Sequence, residues 1–344
     1  MHTRYGLKLW SSEDWREQAV SWLDERLSAA GIRRTGEVTQ PHLQPWGTVL
    51  KAPTTRGPFW LKAPGPETAF EIELYQLFLR VAPDWVLTPV AADQERGWLV
   101  LPDGGAVLGD RIDEIDLTAE LAEILPEYGR LQRDLSPHVD DLVSFGVTDM
   151  RAAAMPKRFE EALDAVGQYL SQYGDPAGWE VHRRATELRG TFGSWCERLA
   201  GAVVPASIDH NDLHPWNIFV PGASGTPDAG KAKFYDWGDS VVAHPFASML
   251  VALGFVGQYF GLGADDPGVL RARDAYLEVF TDLAPHTELV EELELACRVA
   301  KVARVLTWDR SLQAQGYEEA GGFATAPLQC LAALLADSWF EVGM

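Results

Sequence analysis

The chain has 344 residues, 47% of them hydrophobic, enough to bury a substantial core in one large domain or two lobes, which excludes a disordered protein. With 29 Lys and Arg against 50 Asp and Glu, its formal net charge of −21 excludes general binding to nucleic acid or to an anionic membrane surface. The three cysteines, Cys196, Cys297 and Cys330, lack metal-ligand spacing and predict free thiols in a reducing cytoplasm.

The polar opening around Ser11-Ser12-Glu13-Asp14-Trp15 gives no signal-peptide pattern. From Asp14 to Gly31, apolar residues recur at helical spacing. Trp46 to Ala52 and Pro58 to Ala63 read as a hairpin turning at Pro53 to Gly57, with Lys62 near the end of its second strand. After Pro64-Gly65-Pro66, the residues Phe70, Leu74, Leu77, Phe78 and Val81 mark one face of a helix that stops before Pro83. Val86 to Ala92 and Gly97 to Leu101 read as two further strands around a charged turn. From there the pattern is helical: Leu117 to Leu135 with a kink at Pro126, Met150 to Tyr173, Trp179 to Gly201, His244 to Phe260, Gly268 to Leu283, Glu288 to Gln313 and Ala326 to Val342. Two short strands, Asn217 to Val220 and Lys231 to Asp236, flank a Pro/Gly/Ala/Ser loop. The apolar run Phe246 to Gly263 is interrupted by Gln258 and glycines and reads as a core helix, not a membrane span.

Chemistry concentrates in Asp209-His210-Asn211-Asp212-Leu213-His214-Pro215-Trp216-Asn217 and in Tyr235-Asp236-Trp237-Gly238-Asp239. Phosphoryl transfer needs a carboxylate to orient or deprotonate the attacking hydroxyl, and an amide oxygen with a second carboxylate to hold magnesium. Asp212, Asn217 and Asp236 can fill those roles, and Asp212 and Asn217 have the five-residue separation of the H-R-D-x-x-x-x-N pattern.

These two motifs resemble those of the aminoglycoside phosphotransferase and choline kinase superfamily, H-x-D-L-H-x-x-N at His210 to Asn217 and an I-D-W-like segment at Tyr235 to Gly238. The resemblance implies an α+β, bilobal protein-kinase-like fold: a small β-rich N-lobe over 1–103, a larger helical C-lobe over 104–344, and an active site in the cleft between them. It implies Asp212 as catalytic base, His210 as support of its loop, Asn217 and Asp236 as magnesium ligands, and ATP with Mg2+ as cofactors. Two departures stand out, because family members commonly carry Gly where Asn211 and Trp216 stand.

In the N-terminal part, Lys62 is the best placed cation for the nucleotide phosphates, while Lys51 reads as a solvated strand-face lysine. Glu71 and Glu73 flank the apolar face of the following helix almost symmetrically, so periodicity leaves both open as the partner of Lys62; the resemblance favours Glu71. Gln44 to Thr48 occupies the place of a phosphate-covering loop with a single glycine, and Leu99 to Asp103 that of the adenine hinge. The expected activity is transfer of the γ-phosphoryl group of ATP to a hydroxyl of a small molecule, and the acidic balance favours a cationic acceptor such as an amino sugar or aminoglycoside. Trp308, Asp309, Glu318 and Glu319 offer aromatic and acidic contacts for it. Two rivals are a hydrolytic metal centre built from Asp209, His210, Asp212, His214 and Asp236, and a catalytically silent nucleotide-binding pseudokinase.

Overall fold

Helix signals at the N-terminal end lead directly to the first packed layer. A computed structural model describes residues 6–220, 231–313 and 316–343. After a single turn, α1 (Leu7–Trp10), the Ser12 side chain caps α2 (Glu13–Ala29) by accepting from the Trp15 N–H, and Glu13 and Asp14 complement the helix dipole. The buried face of α2, Trp15, Ala19, Trp22, Leu23 and Leu27, packs on a five-stranded antiparallel sheet through Leu50, Leu61, Trp98 and Val100. Trp15 and Trp22 both meet Trp98 edge-on, at 6.0 and 5.4 Å between ring centroids, contacts worth about 0.5–1.5 kcal/mol each beyond their burial.

The strands are β1 (Thr39–Gln44), β2 (Gly47–Thr54), β3 (Gly57–Pro64), β4 (Ala91–Asp93) and β5 (Trp98–Pro102), in the order β1-β2-β3-β5-β4. The expected hairpin is β2–β3, with Lys62 facing Val49 on one side and Leu99 on the other. Of the expected strand Val86 to Ala92, only its end pairs; Pro83–Trp85 forms a 3-10 turn and Pro89 has no N–H to offer a ladder. Between the hairpin and β4 runs α3 (Glu71–Val81). Residues Met1–Gly105 form one compact unit together with Arg310–Ala324, whose Phe323 ring packs on Trp46 at 5.1 Å.

The second unit comprises Ala106–Asp309 and Thr325–Met344. Its helices are α4 (Leu117–Leu135), α5 (Val139–Ser144), α6 (Met155–Tyr173), α7 (Pro176–Glu187), α8 (Arg189–Ala200), α9 (Met249–Phe260), α10 (Pro267–Glu278), α11 (His286–Gln313) and α12 (Ala326–Ala333). Asp116 caps α4, which continues through Pro126 to Leu135. Three short strands, β6 (Thr148–Asp149), β7 (Ser207–Asp209) and β10 (Val241–Ala243), form a sheet in which β10 lies between the other two. The pair β8 (Ile218–Phe219) and β9 (Lys233–Phe234) forms a separate antiparallel ladder; the Pro/Gly/Ala/Ser loop read at 221–230 lies outside the described residues.

The helix expected from His244 begins at Met249, after a 3-10 turn over Pro245–Ser248, and the one expected to reach Leu283 ends at Glu278; three other differences have identifiable reasons. The helix expected from Met150 starts at Met155, because Thr148 and Asp149 pair with β10 and the Met150 N–H donates to the Val242 carbonyl. The helix expected over Trp179 to Gly201 is two helices, α7 and α8, parted by a 3-10-like turn at Leu188. The helix expected to reach Val342 stops at Ala333, where the Lys301 ammonium takes the Ala333 and Ser338 carbonyls at 3.0 and 2.7 Å. The chain then lies on the glycine face of α9: a Cβ at Gly257 would come within 1.9 Å of the Phe340 ring. Among the described residues no helix is long and apolar enough to cross a membrane.

Candidate active site

In the N-terminal unit, β3 and the first turn of α3 bring Lys62 and Glu71 together. The ammonium contacts both Glu71 carboxylate oxygens, at 2.6 and 2.8 Å, and the Glu71 side chain is 3% exposed. A carboxylate so placed needs a cation beside it. Glu73 points elsewhere and accepts from Gln94, so the choice that periodicity left open falls to Glu71. Lys51 lies over the Trp60 ring, 4.6 Å from its centroid.

In the C-terminal unit, the segment after β7 is shaped by backbone geometry that side chains resist. Asn211 and Asp236 have left-handed φ of 59° and 63°, and among the described residues they are the non-glycine residues with positive φ. Asn and Asp tolerate that region best, and strain of this kind concentrates at functional sites. Asn211 is held there three ways: its N–H donates to Asp209 Oδ1 (2.8 Å), and its amide donates to Thr307 Oγ1 (2.8 Å) and the Asp239 carbonyl (3.3 Å).

Beneath the loop lies a buried polar network. Asp209 Oδ1 also accepts from Ser248 (2.7 Å), whose hydroxyl lies 2.8 Å from the Tyr128 hydroxyl. Gln132 donates to the carbonyls of Ile208 and Pro245, both at 2.8 Å, and accepts from Tyr276 at 2.6 Å. Asp209 Oδ2 is buried without a hydrogen bond. Burial pushes the Asp209 carboxyl up to about 6 against the lowering effect of Ser248 and the Asn211 N–H.

His210 Nε2 donates to the Tyr235 carbonyl (2.9 Å), tying the loop to the segment that carries Asp236, and its ring tilts against Trp237 at 4.7 Å. Burial pushes this imidazole below its ordinary value, which suits a neutral structural group. Asp212 is 23% exposed on its side chain, so one edge remains reachable. Its Oδ1 lies 3.1 Å from Arg304 Nη1 and its Oδ2 lies 3.3 Å from His214 Nε2. Burial pushes the Asp212 carboxyl up, but His214 and Arg304 outweigh it and hold the group well below the usual carboxylate range. Burial likewise opposes protonation of His214, yet Asp212 and Asp236 raise its pKa above the ordinary value.

Asn217 turns its amide nitrogen to the Asp212 carbonyl at 2.9 Å, leaving the amide oxygen as its donor atom. The Tyr235 N–H donates to the Asn217 carbonyl at 3.2 Å, joining Asn217 to the segment that carries Asp236, and an amide oxygen with a carboxylate is the kind of hard oxygen pair magnesium takes from protein when phosphates and water complete its shell. These residues fit that ion. The zinc-type centre fits less well: His210 Nε2 is spent on Tyr235, Asp209 is committed to the network, and among the described residues no group of three or more His, Cys, Asp or Glu side chains is placed to hold a metal.

The structure thus gathers His210, Asp212 and Asn217 in one loop and ties it to the Asp236 segment, and it pairs Lys62 with Glu71. Of the other acceptor candidates, Trp308 lies beside Arg304 (5.8 Å), Asp309 is buried, and Glu318 and Glu319 are exposed on a 3-10 turn. Sequence reasoning missed Arg304, Thr307, Gln132 and Ser248. For Arg304 a signal existed, a charge at a core register of α11; for the others a buried polar side chain reads like any helix-surface residue.

The architecture is that of the protein-kinase-like small-molecule kinases, as the motifs implied. No protein-family model matches the chain, and no curated protein matches it in sequence. In structure it is similar to a macrolide 2'-phosphotransferase from Brachybacterium faecium (TM-score 0.56, 16% identity, covering 90% of this chain and 98% of that one). It is also similar to an ethanolamine kinase from Plasmodium vivax (TM-score 0.63, 10% identity, 87% and 82%) and to a choline kinase from Cryptosporidium parvum (TM-score 0.58, 12% identity, 93% and 96%). The chain therefore has the fold of the aminoglycoside phosphotransferase and choline kinase superfamily.

Proposed function

We propose that this protein is an ATP-dependent phosphotransferase that moves the γ-phosphoryl group to a hydroxyl of a small molecule. The observation that carries the reading is the Asp212 loop: a partly exposed carboxylate, an amide turned to leave its oxygen free, and a hydrogen bond from His210 to the segment bearing Asp236. The Lys62–Glu71 pair supplies the cation that this chemistry needs on the nucleotide phosphates.

In this mechanism Asp212 accepts a hydrogen bond from the acceptor hydroxyl and aims its oxygen at the γ-phosphorus. The P–O bond to ADP breaks as the new P–O bond forms, and the hydroxyl proton passes to Asp212. Held below the usual carboxylate range, Asp212 is a weak base, which suits a loose transition state where orientation counts for more than early deprotonation. Lys62, anchored by Glu71, binds phosphate oxygens, and Asn217 and Asp236 are the residues that would hold magnesium. Magnesium, when bound, neutralises charge on the phosphates. The net charge of −21 supports a cationic acceptor, such as an amino sugar, aminoglycoside or amino alcohol.

Magnesium-dependent ATP consumption with mass detection of a phosphorylated product, across amino sugars, aminoglycosides, neutral sugars and amino alcohols, tests the reading. Asp212→Ala should lose turnover by roughly 10³-fold while nucleotide affinity stays within about threefold. Turnover retained in that variant sinks the assignment of Asp212, and preference for anionic acceptors sinks the cationic class.

A further inference from the structure

Arg304, in the middle of α11, is 1% exposed on its side chain and reaches the catalytic loop from 92 residues away. Its Nη1 donates to the Asn211 carbonyl at 2.5 Å and to Asp212 Oδ1 at 3.1 Å. Its Nε and Nη2 are buried without an oxygen acceptor and with at most the Cys330 thiol beside them, and the Trp308 ring centroid lies 5.8 Å from the guanidinium carbon. A guanidinium held with donors unspent is costly, and an apolar residue of similar volume commonly serves a core as well or better. Stability alone therefore gives a weak reason for Arg304.

The better reason lies in what it grips. One nitrogen holds both the backbone carbonyl before Asp212 and one oxygen of the Asp212 carboxylate. One turn further along α11, Thr307 accepts from the Asn211 side chain, so the helix holds Asn211 by its carbonyl and by its amide. The strained loop is thus fixed against a long, buried helix. The other Asp212 oxygen, Oδ2, has only long contacts, 3.3 Å to His214 Nε2 and 3.4 Å to Asn217 Nδ2.

We propose that Arg304 is a positioning residue for phosphoryl transfer: by holding Asp212 Oδ1 and the Asn211 carbonyl, it presents Oδ2 to the acceptor hydroxyl. The proposal rests on the phosphotransferase reading and adds to it a residue outside both sequence motifs. Arg304 is buried and acts through Asp212, so its removal should lower kcat and leave nucleotide binding alone.

The test uses the full chain, Mg-ATP with water as acceptor, and Mg-ADP as a binding probe. Arg304→Met should lower kcat by roughly 100-fold with KM for ATP and the Kd for Mg-ADP within about threefold. In Asp212→Asn the same substitution should cost less than about threefold, because the two residues act as a unit. If Arg304→Met fails to fold, Arg304→Gln decides. Glutamine can still donate to the Asn211 carbonyl but lacks the charge and the reach to hold Asp212 as well, and its kcat should fall by at least about tenfold.

A folded variant with unchanged kcat, or losses that multiply fully in the double variant, overturns the role while the phosphotransferase reading stands. A wild-type protein that neither binds Mg-ADP nor turns over Mg-ATP removes both.

Discussion

Glu71 and Asp209 are both buried carboxylates, and the two units answer them differently. Glu71 meets a full counter-charge, Lys62, nine residues earlier in the chain and on the neighbouring element. Asp209 has only hydrogen bonds on one oxygen, from the Asn211 N–H and from Ser248, 39 residues away, and none on the other. In the proposed reaction the first arrangement supplies a charge for the nucleotide phosphates. The second spends uncharged hydrogen bonds on holding a strained loop in place, and its members come from α4, α10, the turn before α9 and the loop itself. A local ion pair can fail alone, whereas a long-range polar network should fail as a unit.

The largest effect is expected in the network. Gln132→Leu strands the carbonyls of Ile208 and Pro245 and the Tyr276 hydroxyl in a dry interior, at a cost of about 3–5 kcal/mol. Urea unfolding measures it, and a loss under about 1 kcal/mol would show that the network is dispensable.

Asp209 gives the next largest effect, with a definite sign in pH. Its folded value, about 6, lies above the ordinary 3.8, so the stability it contributes is complete below about pH 4 and is lost as pH rises through 6. Relative to Asp209→Asn, which keeps Oδ1 as an acceptor, the wild type should lose on the order of 2–3 kcal/mol between about pH 4 and pH 7. A difference that is flat across that range would show that the carboxylate finds a partner at its second oxygen.

Glu71→Gln should be mildest for stability, about 1 kcal/mol, because Lys62 retains 19% exposure and can hydrate. Its cost should appear instead as roughly a tenfold rise in KM for ATP, measured in steady state. A stability loss as large as that of Gln132→Leu would erase the contrast between the two units.

The sequence by itself determined the helical face of α2, the β2–β3 hairpin with Lys62 in it, the α3 face that left Glu71 and Glu73 as rivals, and the spacing of His210, Asp212 and Asn217. These are properties of residues within about one or two turns of each other, where periodicity and turn chemistry act directly. Tertiary structure decided the rest. It chose Glu71 over Glu73 and stopped α12 at Ala333, where Lys301 and the glycine face of α9 draw the chain away. It also brought Arg304, Thr307, Gln132 and Ser248 under the loop. A pattern of apolar residues records which face of a helix is buried, but a polar side chain can be satisfied by any partner within about 3 Å, and that partner is set by packing of elements far apart in the chain.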